Sequence, residues 1–275
     1  MTIDRRRFLL TAGGVATVTS AATLTADPVR GHGTASGTHE ATAGRPAAGA
    51  PESLAPRPPI VPRSQWQTDP HVLDQPVQYA DAVMAVFVHH TDGGEDYTPE
   101  QVPELIRNIL NDHISYRGWG DIGYNFLVDK YGTIYEGRAG GTDRAVVGAH
   151  TLGFNVGTAG VAALGSYSDD APQALVSSIA ALCAWKLGLH QVDPSGTALL
   201  TSTDSASRYP SGQSARFQAV SGHTDAFQTD CPGVPLYAAL PAIRTEATRI
   251  QASSLHAAPP RRFAPGGFRL PPVGG

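Results

Sequence analysis

The apolar positions of this chain fall into two kinds of run. Residues 84–90 are apolar and β-branched without interruption, too short for a helix and closed by two histidines, and they predict a strand buried on both faces. Val102, Leu105, Ile106, Ile109, Leu110 and His113 instead recur at helical spacing. Thr98-Pro99-Glu100 ahead of them supplies a cap residue and then proline at the first helical position, and the helix should stop near Gly118. Residues 122–129 and 133–137 flank Lys130-Tyr131-Gly132 and read as a hairpin. Residues 146–148 and 158–164 predict two further strands, with a loop between them. Pro172 opens a second helix that turns Leu175, Ile179, Leu182, Trp185 and Leu187 inward and ends near Gly188. A Gly, Ser and Thr-rich excursion over 194–214 follows, then a strand from about residue 217 that delivers His223, then a last helix over about 234–250. Strands interleaved with helices but joined partly by hairpins predict an α/β fold, a mixed central sheet covered by helices, with a site in a surface groove.

Outside this body the periodicity is lost. Asp4-Arg5-Arg6-Arg7-Phe8-Leu9-Leu10 and the modestly apolar stretch after it resemble a Tat-type export signal over 1–26, cleaved near Ala22 or Ala26; a basic tail before a weak helix is the plainer reading. That stretch is too short and too rich in Gly and Thr for a membrane span. Residues 27–58 and 253–275, dominated by Ala, Gly and Pro, lack the apolar surface to order themselves and read as linker and tail around a single domain over 59–252. Loss of 1–26 removes three arginines and one aspartate, taking the formal charge from −4 to about −6. An acidic mature chain disfavours a nucleic-acid role, and a monomer is expected.

Two cysteines exclude a disulfide framework. Cys183 lies on the core face of the second helix, whereas Cys231 sits among Asp, Pro and Gly just ahead of the last helix, where the helix dipole favours a thiolate. His89 and His223 each end a predicted strand, and residues at strand ends commonly turn into a shared cleft. Two imidazoles and a thiolate make a zinc site with an open fourth position, the arrangement of a hydrolytic catalyst. Core histidines, or a Cys183–Cys231 disulfide, are the plainer alternatives, and spacing alone does not choose among them.

The ordered motifs Val86-Phe87-Val88-His89-His90-Thr91, Asp121-Ile122-Gly123-Tyr124-Asn125-Phe126, Tyr135-Glu136-Gly137-Arg138, Gly148-Ala149-His150 with Asn155, and Gly222-His223-Thr224-Asp225 with Thr229-Asp230-Cys231-Pro232-Gly233 resemble those of the type-2 N-acetylmuramoyl-L-alanine amidases and peptidoglycan recognition proteins. The resemblance implies zinc on His89, His223 and Cys231, a catalytic Tyr124, and a hydrogen-bonding Thr229. It implies a groove that binds peptidoglycan or muropeptides through His113, Arg117, Gly118, Trp119, Arg138, His150 and Asn155. Gly118-Trp119 with Arg138 is similar to the pattern of members that prefer diaminopimelate stems, where an arginine pairs with the extra carboxylate; alternatively Arg138 only neutralises Glu136 or a loop carbonyl. Two positions depart from the family: Gln67-Thr68 follows Trp66 where Gly-Ala is frequent, and Thr224 follows His223 where arginine is frequent.

The implied reaction is hydrolysis of the amide between N-acetylmuramic acid and L-alanine by a secreted or wall-associated enzyme. Tyr124 either faces the oxyanion or relays a proton. A wall-binding module without turnover is the alternative, and it could lose Cys231 and keep its affinity. The His-Glu-x-x-His helix of a zinc peptidase is absent.

Overall fold

The computed structural model describes residues 53–68 and 76–257, the side chains of 255–257 excepted. The proposed export signal and most of the proposed linker and tail lie outside the described residues. Strands β1 (Ile60–Val61), β2 (Ala85–His90), β3 (Phe126–Val128), β4 (Ile134–Glu136), β5 (Thr158–Ala163) and β8 (Val220–Gly222) form one sheet in the order β1-β4-β3-β5-β2-β8. Only the β3–β4 pair is antiparallel, so the sheet is mixed, as the sequence predicts. β2 lies between β5 and β8 with His89 opposite Ala162 and Val88 opposite Gly222, which brings His89 beside the start of the segment bearing His223.

Alternation along the central strands sorts the side chains onto two faces. Val86 and Val88 of β2, Val161 of β5 and Phe126 of β3 join the larger core, packed under helices α2 (Gln173–Gly188) and α4 (Val234–Ala257). On the other face Leu127 packs with Ile106 and Leu110 of α1 (Val102–Ser115), while Ala85 and Phe87 pack with Ala198, Leu200 and Phe217 of a separate two-stranded sheet, β6 (Thr197–Thr201) and β7 (Ser214–Gln218). His89 shares the parity of Phe87, so it emerges on this second face, in the gap between α1 and the small sheet.

The boundaries follow local chemistry. Gln101 Oε1 accepts the Thr98 N–H at 2.7 Å, and a 3-10 turn over Pro99–Gln101 leads into α1. In the β3–β4 hairpin Asp129 Oδ1 accepts from the Tyr131 and Thr133 amides at 3.0 and 2.8 Å, and Gly132 takes a φ of 88°.

Four expectations are corrected. Residues 146–148 form no strand, only a bridge from Val146 to Tyr79, because Asn125 Nδ2 takes the Val146 carbonyl at 2.9 Å. The 194–214 excursion contains β6, whose Ala198 and Leu200 point inward. The strand entering His223 is two strands, since the chain passes from the small sheet to the main sheet at Ala219. At the edges of the body, α4 continues to Ala257, and Ser53–Ala55 pack on the end of α2: Ser53 Oγ donates to the Trp185 carbonyl at 3.0 Å, the Leu54 amide to that of Gly188 at 3.2 Å, and Ala55 is buried. No helix among the described residues is long and apolar enough to cross a membrane.

Candidate metal centre and groove

His223 and Cys231 line a groove of about 460 Å³ and meet His89, buried beneath it; each of the three offers one ligand atom, and these atoms lie within 4.8 Å of one another. Three elements bring them together. β2 carries His89 as its next-to-last residue; β8 ends at Gly222, whose amide donates to Asp225 Oδ2 at 2.9 Å as the short helix α3 (His223–Ala226) begins with its first residue as ligand; Cys231 follows in the turn before α4, joined to Pro232 by a cis peptide bond. The Thr224 amide donates to the Cys231 carbonyl at 2.9 Å, tying the last two segments together. Both cysteines are free thiols and Cys183 is fully buried in the core, so the disulfide alternative does not form.

The donor set fits zinc. Bond lengths of about 2.3 Å to sulfur and about 2.05 Å to nitrogen, at a tetrahedral angle, separate the two ligand atoms by about 3.6 Å. Cys231 Sγ lies 3.7 Å from His89 Nδ1. Burial holds the His223 imidazole down at about 4 and His89 well below the usual histidine range, so both are neutral and suited to ligation at pH 7. Burial pushes the Cys231 thiol up to about 12, outweighing the His90 amide, which donates to Sγ at 3.3 Å and favours the thiolate. A divalent cation reverses that balance, because its charge favours the thiolate directly.

Tyr124, just ahead of β3, sets its ring 5.3 Å from that of His89 and 5.4 Å from that of His113. Burial, then the nearby Cys231 sulfur, raises its phenol above the usual tyrosine range, so its proton is available at neutral pH; the hydroxyl is committed to no other described residue. Thr229 Oγ1 accepts the Cys231 amide at 3.2 Å, which leaves its own proton for the groove. His113 Nδ1 accepts from the Gly123 amide at 2.9 Å, and burial holds this ring at about 4.

His113, Arg117, Trp119, Tyr124, His150 and Thr229 line the groove. Arg117 pairs with Asp112 at 2.8 Å and lies over the Trp119 ring at 5.2 Å. The other three residues expected to touch substrate do not form its wall. Gly118 takes a φ of 65° in the turn after α1, where glycine is favoured. Asn155 Oδ1 accepts from the His150 and Thr151 amides, both at 2.8 Å. Arg138 donates to the carbonyls of Ile122 and Trp119 at 3.2 and 3.3 Å.

Sequence reasoning missed several supports. Arg63 and Asp121 form a buried pair at 2.6 Å, and Asp121 also accepts from the Ile122 and Ala139 amides, fixing the segment ahead of Tyr124. Arg208 donates to the carbonyls of Thr224 and Phe227 at 2.8 and 3.2 Å, bracing α3 from the 194–214 excursion although Thr224 stands where arginine is frequent. Thr151 reaches His89. Adjacency to the Gly-Tyr-Asn motif flags Asp121, and adjacency to His150 flags Thr151; nothing local flags Arg63 or Arg208.

A family model described as N-acetylmuramoyl-L-alanine amidase matches residues 79–234. Peptidoglycan-recognition protein LE of Drosophila melanogaster is 39% identical over 115 residues, 42% of this chain and 32% of that protein. The human N-acetylmuramoyl-L-alanine amidase is 31% identical over 193 residues, 66% of this chain but only 27% of that protein. The chain therefore spans about a third or less of these two relatives. Wild-type PGRP-LB of Drosophila shares the fold, with a TM-score of 0.51 at 24% identity over 66% of this chain and 91% of that one. Peptidoglycan recognition protein LE, solved in complex with tracheal cytotoxin, a monomeric diaminopimelic acid-type peptidoglycan, gives a TM-score of 0.51 at 26% identity over 66% of this chain and 92% of that one. With more than half of its length matched by that model, the chain belongs to the N-acetylmuramoyl-L-alanine amidase family.

Proposed function

We propose that this protein is a zinc-dependent amidase that hydrolyses the bond between the lactyl group of N-acetylmuramic acid and the first L-alanine of the stem peptide. The observation that carries this reading is the convergence of His89, His223 and Cys231 under a groove that also holds Tyr124. Zinc in this cradle supplies Lewis acidity toward the carbonyl and a water made nucleophilic near neutral pH.

The chain's own groups do the rest. The Tyr124 phenol, protonated at neutral pH and shifted further up by burial, donates toward charge developing on the carbonyl oxygen or passes a proton to the departing amine. The Thr229 hydroxyl, its oxygen already held by the Cys231 amide, offers a second donor. His113 turns its remaining ring nitrogen toward bound sugar or peptide, and Trp119 with Arg117 forms the wall beside it. Gly118, Arg138 and Asn155 shape the groove from behind by holding backbone. A preference for diaminopimelate stems is part of this reading, supported by the ligand of the LE relative. With the Arg138 guanidinium on loop carbonyls, Arg117 is the cation on the wall that meets a stem carboxylate. The mature enzyme is a monomer, exported through the Tat-type signal to act on the wall.

The names of the relatives favour one second reading, recognition without turnover. Incubating the zinc-loaded protein with purified sacculi, with and without chelator, separates the two. Mass spectrometry should find free stem peptides that disappear with chelator and return with added zinc. Zinc bound with no peptide released would establish recognition alone, and release that survives removal of all metal would overturn the mechanism.

A further inference from the structure

A metal-binding imidazole must present one bare nitrogen to the cation and carry its proton on the other. We propose that His150 and Thr151 are positioning residues that lock His89 in the tautomer protonated on Nε2, and that the same lock places the proton of His150 on its own Nε2. This rests on the zinc reading of the site.

The geometry leaves little freedom. His89 Nδ1 faces Cys231 Sγ, while Nε2, on the far side of the ring, lies 3.2 Å from His150 Nδ1 and 3.3 Å from Thr151 Oγ1. Thr151 Oγ1 is in turn 3.0 Å from His150 Nδ1, closing a triangle of three polar atoms. With Nδ1 bare for a cation, the His89 proton sits on Nε2 and points into this triangle. A proton on His150 Nδ1 would then face it across 3.2 Å, donor against donor. Thr151 Oγ1 accepting from both rings would avoid that clash but leave its own proton without an acceptor among the described residues, so His150 Nδ1 is assigned as the acceptor, for His89 Nε2–H and for the Thr151 hydroxyl, and its ring carries a single proton on Nε2. That atom is buried and meets no partner among the described residues, on a ring that borders the groove.

The fold around His150 serves this one orientation. A Cβ on Gly160 would come within 2.4 Å of the imidazole, and one on Gly148 within 2.5 Å, so two glycines clear the slot the ring fills. Asn155 Oδ1 holds the backbone amides of both His150 and Thr151, and Asn125 Oδ1 accepts the Gly160 amide at 2.8 Å. Partners of this kind behind a ligating histidine fix its tautomer and orientation, and losing one typically weakens metal binding 10- to 100-fold.

The test is long-range ¹⁵N–¹H correlation on the full chain with labelled histidine, zinc-loaded, together with zinc affinities measured by competition with a chromophoric chelator. His89 and His150 should both show protonated Nε2, and His150 Nδ1 should show no proton. His150→Phe should weaken zinc about 10- to 100-fold, and His150→Gln, whose side-chain oxygen accepts in place of Nδ1, should recover most of that loss. Thr151→Val should weaken zinc by a smaller factor. A proton on His150 Nδ1, or equal zinc affinity in His150→Phe and the wild type, overturns the proposal. If His150→Phe does not fold, the wild-type tautomers and the Thr151→Val affinity decide. A wild-type chain that binds no zinc defeats the metal reading, yet the His150 tautomer is still read in that sample. Zinc bound without amidase activity defeats the hydrolase reading and leaves the lock standing.

Discussion

Tyr124 packs beside two imidazole rings and keeps its phenolic proton at neutral pH with or without a cation, burial only raising it further, so its contribution is separable from that of the metal. Tyr124→Phe should leave zinc bound at full occupancy and lower turnover on muropeptide by about 100-fold or more, the range expected for one positioned donor. Near-normal turnover would remove the phenol from the chemistry. The buried imidazoles also make the metal-free fold sensitive to acid. Burial holds His113 and His223 at about 4 and His150 at about 3, against an ordinary value of 6.5. The unfolded chain therefore takes up these protons first, and the stability present above about pH 6.5 drains away as pH falls toward 4. Urea midpoints in chelator between pH 7.5 and 4 should decline steadily; a flat profile would contradict the assignment. At this scale the sequence shows donors better than supports. His89, His223 and Cys231 carry recognisable chemistry, but Thr151 and Arg63 are ordinary residues whose roles arise from contacts made far along the chain.

Among the elements, α2 illustrates how a helix can be apolar almost all round and still carry a charge. Lys186 on its last turn is buried, with Nζ donating to the carbonyls of Thr142 and Arg144, both at 2.7 Å, and burial brings the amine down to about 8. Lys186→Ala strands both carbonyls, and urea denaturation at pH 7 should show a loss of about 2–3 kcal/mol. A loss under about 0.5 kcal/mol would mean that water replaces the amine without penalty. Elements whose residues follow one period were legible: β2, α1, α2 and the hairpin all lie within a few residues of their predicted places. β6 was not, because Thr197-Ala198-Leu199-Leu200-Thr201 carries an exposed leucine between its two inward positions and sits in Gly and Ser-rich surroundings. Residues 146–148 show the opposite error, a β-branched pair whose carbonyl is claimed by a side chain before a ladder can form.

For the whole molecule, the sheet divides the labour: α2 and α4 stabilise one face, and the other is split by the groove. Ser53–Ala55 belong to the stabilising side, although their composition resembles the linker before them. A chain starting at Pro59 should therefore unfold at lower urea than one starting at Ser53, by about 1–3 kcal/mol for three lost hydrogen bonds, one of them the exposed Arg57–Thr142 contact, and a buried methyl group. Indistinguishable midpoints would show that the segment only rests on the surface. The fold class was legible because alternating element types constrain layers; strand order was not, since it depends on pairings such as β2 with β8 that no local pattern encodes.

Gly160 occupies the middle of a strand, where glycine weakens the pairing and offers nothing to pack. Its value lies in an atom it does not have, since the hollow it leaves is filled by an aromatic ring borne on another loop. Strand-centred glycines near a suspected metal centre can therefore be searched as sockets, each pointing to the side chain that plugs it, even when that plug is not itself a ligand.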